Sequence, residues 1–185
     1  MRVIAGALKG RVLRTPVWDG LRPTSDRLRE TLFNILGPRI EGAHVLDVCA
    51  GTGAVGIEAL SRGAASVTFV EQDRRAVALI EGNLRHCQVH EGYTIERRNA
   101  LTRAAPFAGG PFDIVFLDPP YAQRSLVPWL RLAAAHVAPG GIVILEHAAR
   151  LEAPASTDGL AATRRLRQGD SALTFYASGV AGTEA

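Results

Sequence analysis

The chain has 185 residues, 47% hydrophobic and 21% charged, enough for one domain with a sizeable core. No apolar run approaches the ~20 residues that a membrane span needs, and the basic residues scattered through MRVIAGALKGR leave no run long enough for a secretion signal. Cys49 and Cys87 are far apart and suit a reducing compartment, so we expect a cytoplasmic protein, acting as a monomer. The net charge of +3 is uneven: residues 1–40 carry eight Arg or Lys against three acids, which leaves −2 for the rest. A neutral body with a basic arm points to a polyanionic partner, with a solvated surface as the alternative.

In chain order, RVIAG (2–6) and RVLRTPV (11–17), joined by ALKG, read as a basic β-hairpin in an N-terminal extension of residues 1–20. LRPTSDRLRETLFNIL (21–36) reads as a helix. Leu28, Leu32 and Ile35 form its apolar stripe, widened by Phe33 and Leu36, while Arg27, Arg29, Glu30 and Asn34 face elsewhere. Thr24 or Ser25 can cap it, and Asp26 complements its dipole. Its first turn, with Arg22, Thr24, Asp26 and Arg27, is more polar than packing alone requires.

From residue 44 short β-rich runs alternate with helical stretches. HVLDV (44–48), SVTFVE (66–71), YTIERR (93–98), FDIVFL (112–117) and GIVILEH (141–147) are the strands. The helices lie over 54–63, 74–87 and 126–137, the last ending before a Pro-Gly-Gly turn. Such alternation implies right-handed crossovers and a doubly wound parallel sheet, and the all-apolar strands agree with burial on both faces. TRRLRQG (163–169) and SALTFYAS (171–178) read as an antiparallel pair closing one edge. The expected architecture is therefore an α/β, mostly parallel, seven-stranded Rossmann-like domain over residues 21–178, with a frayed tail at 179–185.

Two motifs carry chemistry. GTGAVG (51–56) is a G-x-G-x-x-G between a strand and a helix, and Glu71 follows Gly51 by 20 residues at the end of the second strand, where it can accept ribose hydroxyls. Asp47 discriminates between nucleoside cofactors. A pyrophosphate beside it would be repelled by several kcal/mol in a poorly solvated cleft, about the Coulomb energy of two close like charges there. S-adenosylmethionine instead brings an ammonium group that Asp47 attracts. The alternative for Asp47 is a cap on the helix at 54–63. Asn99-Ala100 would lie beside the adenine, although Asn also serves turns.

The second motif, Asp118-Pro119-Pro120-Tyr121, ends the fourth strand at the carboxyl edge of the sheet, where open α/β folds bind ligands. An amino group on a heterocycle is a poor nucleophile because its lone pair is delocalised. The Asp118 carboxylate and the Pro119 carbonyl can accept its N–H bonds and turn the lone pair toward a methyl donor, and the prolines fix the backbone. Tyr121 can stack on the base, a contact worth about 1–3 kcal/mol. Such in-line transfer runs on orientation and electrostatics and calls for no metal. His86, Cys87 and His90 lack a fourth ligand at useful spacing and read as surface.

DPPY after a strand, behind a D-x-x-x-G-x-G loop, resembles class I S-adenosylmethionine-dependent methyltransferases of exocyclic amino groups. More narrowly, RVIAGALKGR, LRPTSDRLRETLFNIL, LDVCAGTGAVGIEALSRGA, VTFVEQD and FDIVFLDPPY together resemble the bacterial 16S ribosomal RNA guanine-N2 methyltransferases, over residues 2–147. The resemblance implies cofactor contacts at Asp47, Gly51, Thr52, Gly53, Glu71, Gln72, Asn99 and Ala100, and base capture at Asp118, Pro119, Pro120 and Tyr121. It implies 16S rRNA within the small ribosomal subunit, or an assembly intermediate, as the substrate. Arg2, Lys9, Arg11, Arg14, Arg22 and Arg27 are then the candidate RNA contacts. Cys49 departs from the family, where an aromatic is common, and the chain after residue 150 matches poorly. DNA methyltransferases generally carry an added domain to read sequence and extrude a base; an arm of about 40 residues can instead grip folded RNA by phosphates and shape. The alternatives are another RNA or DNA amino-methyltransferase, an NAD-dependent oxidoreductase and a noncatalytic RNA-binding factor.

Overall fold

The computed structural model describes residues 1–16, 18, 24–102, 106–120 and 125–179; Arg22 and Tyr121 lie outside the described residues. One sheet organises the chain. Strands β1 (His44–Val48), β2 (Ser66–Glu71), β3 (Tyr93–Arg97), β4 (Phe112–Leu117) and β5 (Val137–Ala148) run parallel, and β6 (Ser156–Thr157), β7 (Leu160–Gln168) and β8 (Ser171–Ser178) add an antiparallel flank, in the order β3-β2-β1-β4-β5-β8-β7-β6. The eighth strand beyond the seven expected is β6, two residues long. The order reverses between β1 and β4, so the ends of those two strands border the crevice where doubly wound sheets bind ligands.

Both faces of the sheet are covered. On one, helices α1 (Asp26–Leu36), α2 (Ala54–Ser61) and α3 (Arg74–His86) pack Leu28, Leu32, Ile57, Ile80 and Leu84 against Val45, Phe69, Phe116 and Phe175. On the other, α4 (Val127–Ala134) sets Trp129 and Leu130 against Leu46, Val115, Val143 and Tyr176. Alternate residues of each strand thus feed two separate cores. Gly56, the last glycine of the loop motif, makes close helix–strand packing possible: a Cβ there would lie 2.2 Å from the Phe69 ring.

Four expectations need correction. Helix α4 ends at Ala134, and the Pro-Gly-Gly segment lies inside β5, where the register with β4 slips between the Phe112–Val137 and Ile114–Ile142 pairs. The glycines bend the strand start rather than ending the helix. Arg29, expected to face solvent, is fully buried. Its guanidinium faces the equally buried Glu58 at 3.8 Å and Asp26 at 3.1 Å. Cys87, expected at the surface, packs in the core, while His86 and His90 are exposed.

The N-terminal hairpin forms around one antiparallel bridge, Arg2 to Val12, with Val3 N–H donating to the Arg11 carbonyl at 2.9 Å, Gly10 N–H to the Val3 carbonyl at 2.9 Å and Leu13 N–H to the Met1 carbonyl at 3.1 Å. The donors of its connecting segment find partners on α2: Ile4 and Ala5 N–H donate to the Glu58 carboxylate at 2.7 and 3.0 Å, and Leu8 N–H donates to Ser61 Oγ at 2.9 Å. Ala7 N–H reaches the Ser61 carbonyl at 2.7 Å, and Arg29 donates to the Arg2 carbonyl. Val3 and Leu13 join the core beneath. The arm is therefore built onto α2, where Glu58 is flanked by Arg62 at 2.7 Å and Arg29 at 3.8 Å.

Gly6 is the tightest point of this docking. It has φ +81°, and a Cβ would fall 1.8 Å from the Ser61 carbonyl oxygen. Gly6→Ala should therefore lift the arm from α2 and cost about 1–3 kcal/mol in a denaturant melt, the usual range for overpacking. Limited proteolysis should then cut within residues 1–16; an unchanged melt and digest would show that the arm is held elsewhere.

Candidate active site

Each strand bordering the crevice ends in an acid. Asp47 lies near the end of β1 and Glu71 ends β2; Asp118 follows β4, its N–H donating to the Val48 carbonyl at 3.1 Å. Glu146 lies on β5, one residue past the Leu117–Leu145 pair, and so stands beside Asp118. Sequence reasoning missed Glu146. A lone acid ending the apolar run GIVIL, in the position already filled by Asp47, Glu71 and Asp118 on their strands, was the available signal.

The glycine loop is tied to two of these acids. Glu71 Oε2 accepts the Gly51 N–H at 3.0 Å, while Oε1 accepts from Gln72 and Asp73 at 2.7 and 2.9 Å. Asp47 Oδ2 accepts the Gly56 N–H in the first turn of α2 at 2.9 Å, so the capping role is realised. Gly53 takes φ +75°, a left-handed turn that glycine adopts without strain, and precedes the first residue of α2. Thr52 is buried, and its carbonyl accepts from Asn83 Nδ2 on α3 at 2.9 Å. Asn83 also holds the arm, accepting Arg14 N–H at 2.8 Å and donating to the Arg14 carbonyl at 3.2 Å. One fully buried amide thus joins the glycine loop to the basic arm.

Asn99 Oδ1 accepts the Leu101 N–H at 2.9 Å, the turn role noted from sequence, and Ala100 packs against the second core. Gln72 is exposed beside Glu71; Pro119 is buried and Pro120 exposed. Thr24 does not cap α1; Ser25 does, and Thr24 Oγ1 donates to Glu146 Oε2 at 3.0 Å. The polar start of α1 therefore meets the carboxyl edge of the sheet. Of the arm's cations, Arg2, Lys9 and Arg14 are exposed, as is Arg27 on α1. Arg11 spends its guanidinium on the His86 carbonyl and Gln88 Oε1 at 3.3 and 3.0 Å.

Burial, with repulsion from neighbouring acids, raises two of the carboxyls at this edge. Burial, with Glu71 adding repulsion, pushes Asp47 up to about 7 despite its bond from Gly56. Asp118 is raised well above the usual range, by burial first and then by Glu146, Asp47 and Glu71. Burial first, and then Asp118, Glu71 and Asp47, push the Cys49 thiol up, so it is no thiolate. Such an edge attracts cations and repels a pyrophosphate. Among the described residues no group of three His, Cys, Asp or Glu is placed to hold a metal ion. A cleft of about 330 Å³ lined by Arg39, Asp113 and Gly140 lies at the opposite edge of the sheet, away from these groups.

Residues 1–177 match the family described as Conserved hypothetical protein 95. The chain belongs to this family. It is 36% identical over 184 residues to YlbH of Bacillus subtilis (strain 168), covering 95% of this chain and 98% of that one. It is 43% identical over 132 residues to ribosomal RNA small subunit methyltransferase D of Escherichia coli (strain K12), covering 71% of this chain and 66% of that protein. The solved structure of yhhF from Escherichia coli superimposes with a TM-score of 0.83 at 35% identity, covering 97% of this chain and 98% of that one. The fold is that of class I methyltransferases, and the cofactor is S-adenosylmethionine. The residues fit it, because its positive charge answers the carboxylates at the crevice.

Two predictions follow from this electrostatic setting. Glu71→Gln keeps the shape and removes the charge, and should weaken S-adenosylmethionine binding by about 1.5–3 kcal/mol in calorimetry, the worth of charged hydrogen bonds; unchanged affinity would rule out Glu71 as a cofactor ligand. A bound cation lowers the pKa of nearby carboxyls, so cofactor uptake just below pH 7, the value to which Asp47 is raised, should release protons. Calorimetry in buffers of different ionisation enthalpy reads that release, and S-adenosylhomocysteine, which lacks the sulfonium charge, should release fewer. In the free protein, carboxyls with raised values favour folding at low pH, and this contribution fades as pH rises through about 7.

Proposed function

We propose that this protein methylates the exocyclic N2 amino group of a guanine in 16S ribosomal RNA, within the small subunit or its assembly intermediate. The observation that carries the reading is Asp118, a half-buried carboxylate fixed at the end of β4 against Glu146, with two prolines after it. Its ionised form accepts N–H bonds from an amine, and the Pro119 carbonyl supplies a second acceptor at a fixed backbone angle. Together they hold the nitrogen so that its lone pair points out of the base plane. S-adenosylmethionine supplies the electrophilic methyl carbon when bound. No side chain has to attack carbon, so the work of the chain is orientation and charge. The names of the small-subunit ribosomal RNA relatives favour ribosomal RNA over DNA, and the exposed Arg2, Lys9 and Arg14 offer phosphate contacts.

Small subunits from a strain lacking this methyltransferase, incubated with protein and cofactor, should gain one methyl group on a guanine by mass mapping. Asp118→Asn keeps the shape but cannot accept two N–H bonds with a full charge; the rate should fall by about 10²-fold or more, as for loss of one transition-state hydrogen bond. RNA binding should persist. Methyl transfer at the normal rate by this variant, or a mark on adenine or cytosine, would refute the assignment.

A further inference from the structure

The outer half of β7 carries TRRLRQ at residues 163–168, a basic run away from the crevice acids. Three of its arginines, Arg164, Arg165 and Arg167, are exposed. Register divides them: Arg164 and Leu166 pair with Phe175 and Leu173 of the first core, whereas Arg165 and Arg167 pair with Thr174 and Ala172 on the α4 face. Arg165 Nη2 donates to the Leu151 carbonyl at 2.9 Å and to the Ala149 carbonyl at 3.3 Å. It thereby brackets Arg150, which is exposed at the exit of β5. Ala149 N–H donates to the Asp170 carbonyl at 2.7 Å, so the β5 exit and the β7–β8 turn form one braced platform. A charge run on a solvated face needs no such bracing. Glu152 and Asp170 are the acids on this stretch, and Asp158 is spent on Arg131 at 3.1 Å.

The platform sits at the carboxyl edge, since Ser171 pairs with Ala148 at the end of β5. It lies three strands from β4, roughly 14 Å at the usual spacing. The N-terminal arm is anchored on α2 and α3, toward β1, β2 and β3, so Asp118 stands between two basic surfaces. We infer that Arg150 and Arg167, braced by Arg165, form a second phosphate-binding surface for the RNA strand leaving the target nucleotide. This rests on the RNA reading above and deepens it. Taking a base out of its stack costs a few kcal/mol, and holding the backbone on both flanks prevents the strand from following the base. The partner is a polyanion rather than an added protein strand. Beyond Ala162 the outer edge of β7 has no ladder partner among the described residues, but a register shift at Ala162–Arg164 and the arginines oppose strand addition.

The test uses the full chain, with small-subunit 16S rRNA as the probe. Arg150→Ala with Arg167→Ala leaves the Arg165 brace in place. It should weaken binding roughly five- to eightfold per lost phosphate contact at 0.1 M salt and flatten the log–log salt slope by about 0.7–0.9 per contact. KM for RNA should rise while cofactor affinity and melting temperature hold. The Lys–Lys pair should retain the slope, because charge and not fork geometry is at work. Arg39→Ala, one charge removed at the opposite edge, should leave the slope unchanged. An alanine pair with the wild-type slope and KM, or binding of a protein strand along β7 in place of RNA, overturns this surface alone if the wild type methylates the RNA. A wild type that neither binds nor methylates it overturns both readings.

Discussion

Burial and like charge at adjacent strand ends hold Asp47 and Asp118 toward their neutral forms in the absence of a cation. These two are brought together with Glu71 and Glu146 by the parallel register of β1, β2, β4 and β5. The protein spends backbone donors on two of them, Gly56 on Asp47 and Gly51 on Glu71, and a hydroxyl, Thr24, on Glu146. These bonds fix the glycine loop and the start of α1 to the same edge. The electrostatic strain and the shape of the site thus have one origin. An edge built this way is poorly suited to a dinucleotide and well suited to a sulfonium.

The second constraint is the way the basic arm is carried. An isolated hairpin of this length is marginal in water. Here its N–H groups are satisfied by Glu58 and Ser61 on α2, its apolar side chains enter the core, and Asn83 connects it to Thr52. The cost is a buried charge cluster in which Glu58 faces Arg29 and Arg62, and Arg29 also faces Asp26. Helix α2 therefore serves two ends: its first turn carries the glycine loop and its last turn carries the arm. A shift in one is felt by the other through a single turn of helix and through Asn83.

The core was legible because its signal is local. All-apolar runs bounded by helical stretches place five parallel strands, and a carboxylate after a run marks a sheet edge. What could not be read depended on distant partners. The pattern assigned Arg29 to solvent since nothing nearby in sequence explains burying it; Glu58, 29 residues on, does. The expected hairpin pairs across Arg2 and Val12, but its docking was not legible, because Ile4, Ala5 and Leu8 N–H find Glu58 and Ser61 far along the chain. The Pro-Gly-Gly turn looked like a helix stop, yet β4 offered pairing on both sides of it, and a bulge was the result. The sequence leaves Asp47 between a cofactor ligand and a cap on α2; the turn at Gly53 brings the Gly56 N–H back to it, so the cap is formed.

The raised pKa of Asp118 bears on how such a site can work without a general base. A protonated Asp118 donates a hydrogen bond and cannot grip both an amine and its proton; an ionised one accepts. Asp118 gains its charge most easily when a cation already neutralises Asp47 and Glu71, whose repulsion opposes it. In the reaction proposed above, the acceptor for the amine is therefore stronger with a cation in the crevice than without one. An amine held tightly without a donor would only delay turnover. On that proposal, burial of Asp118 and the acids around it tie amine capture to the presence of positive charge, with no moving part beyond a proton.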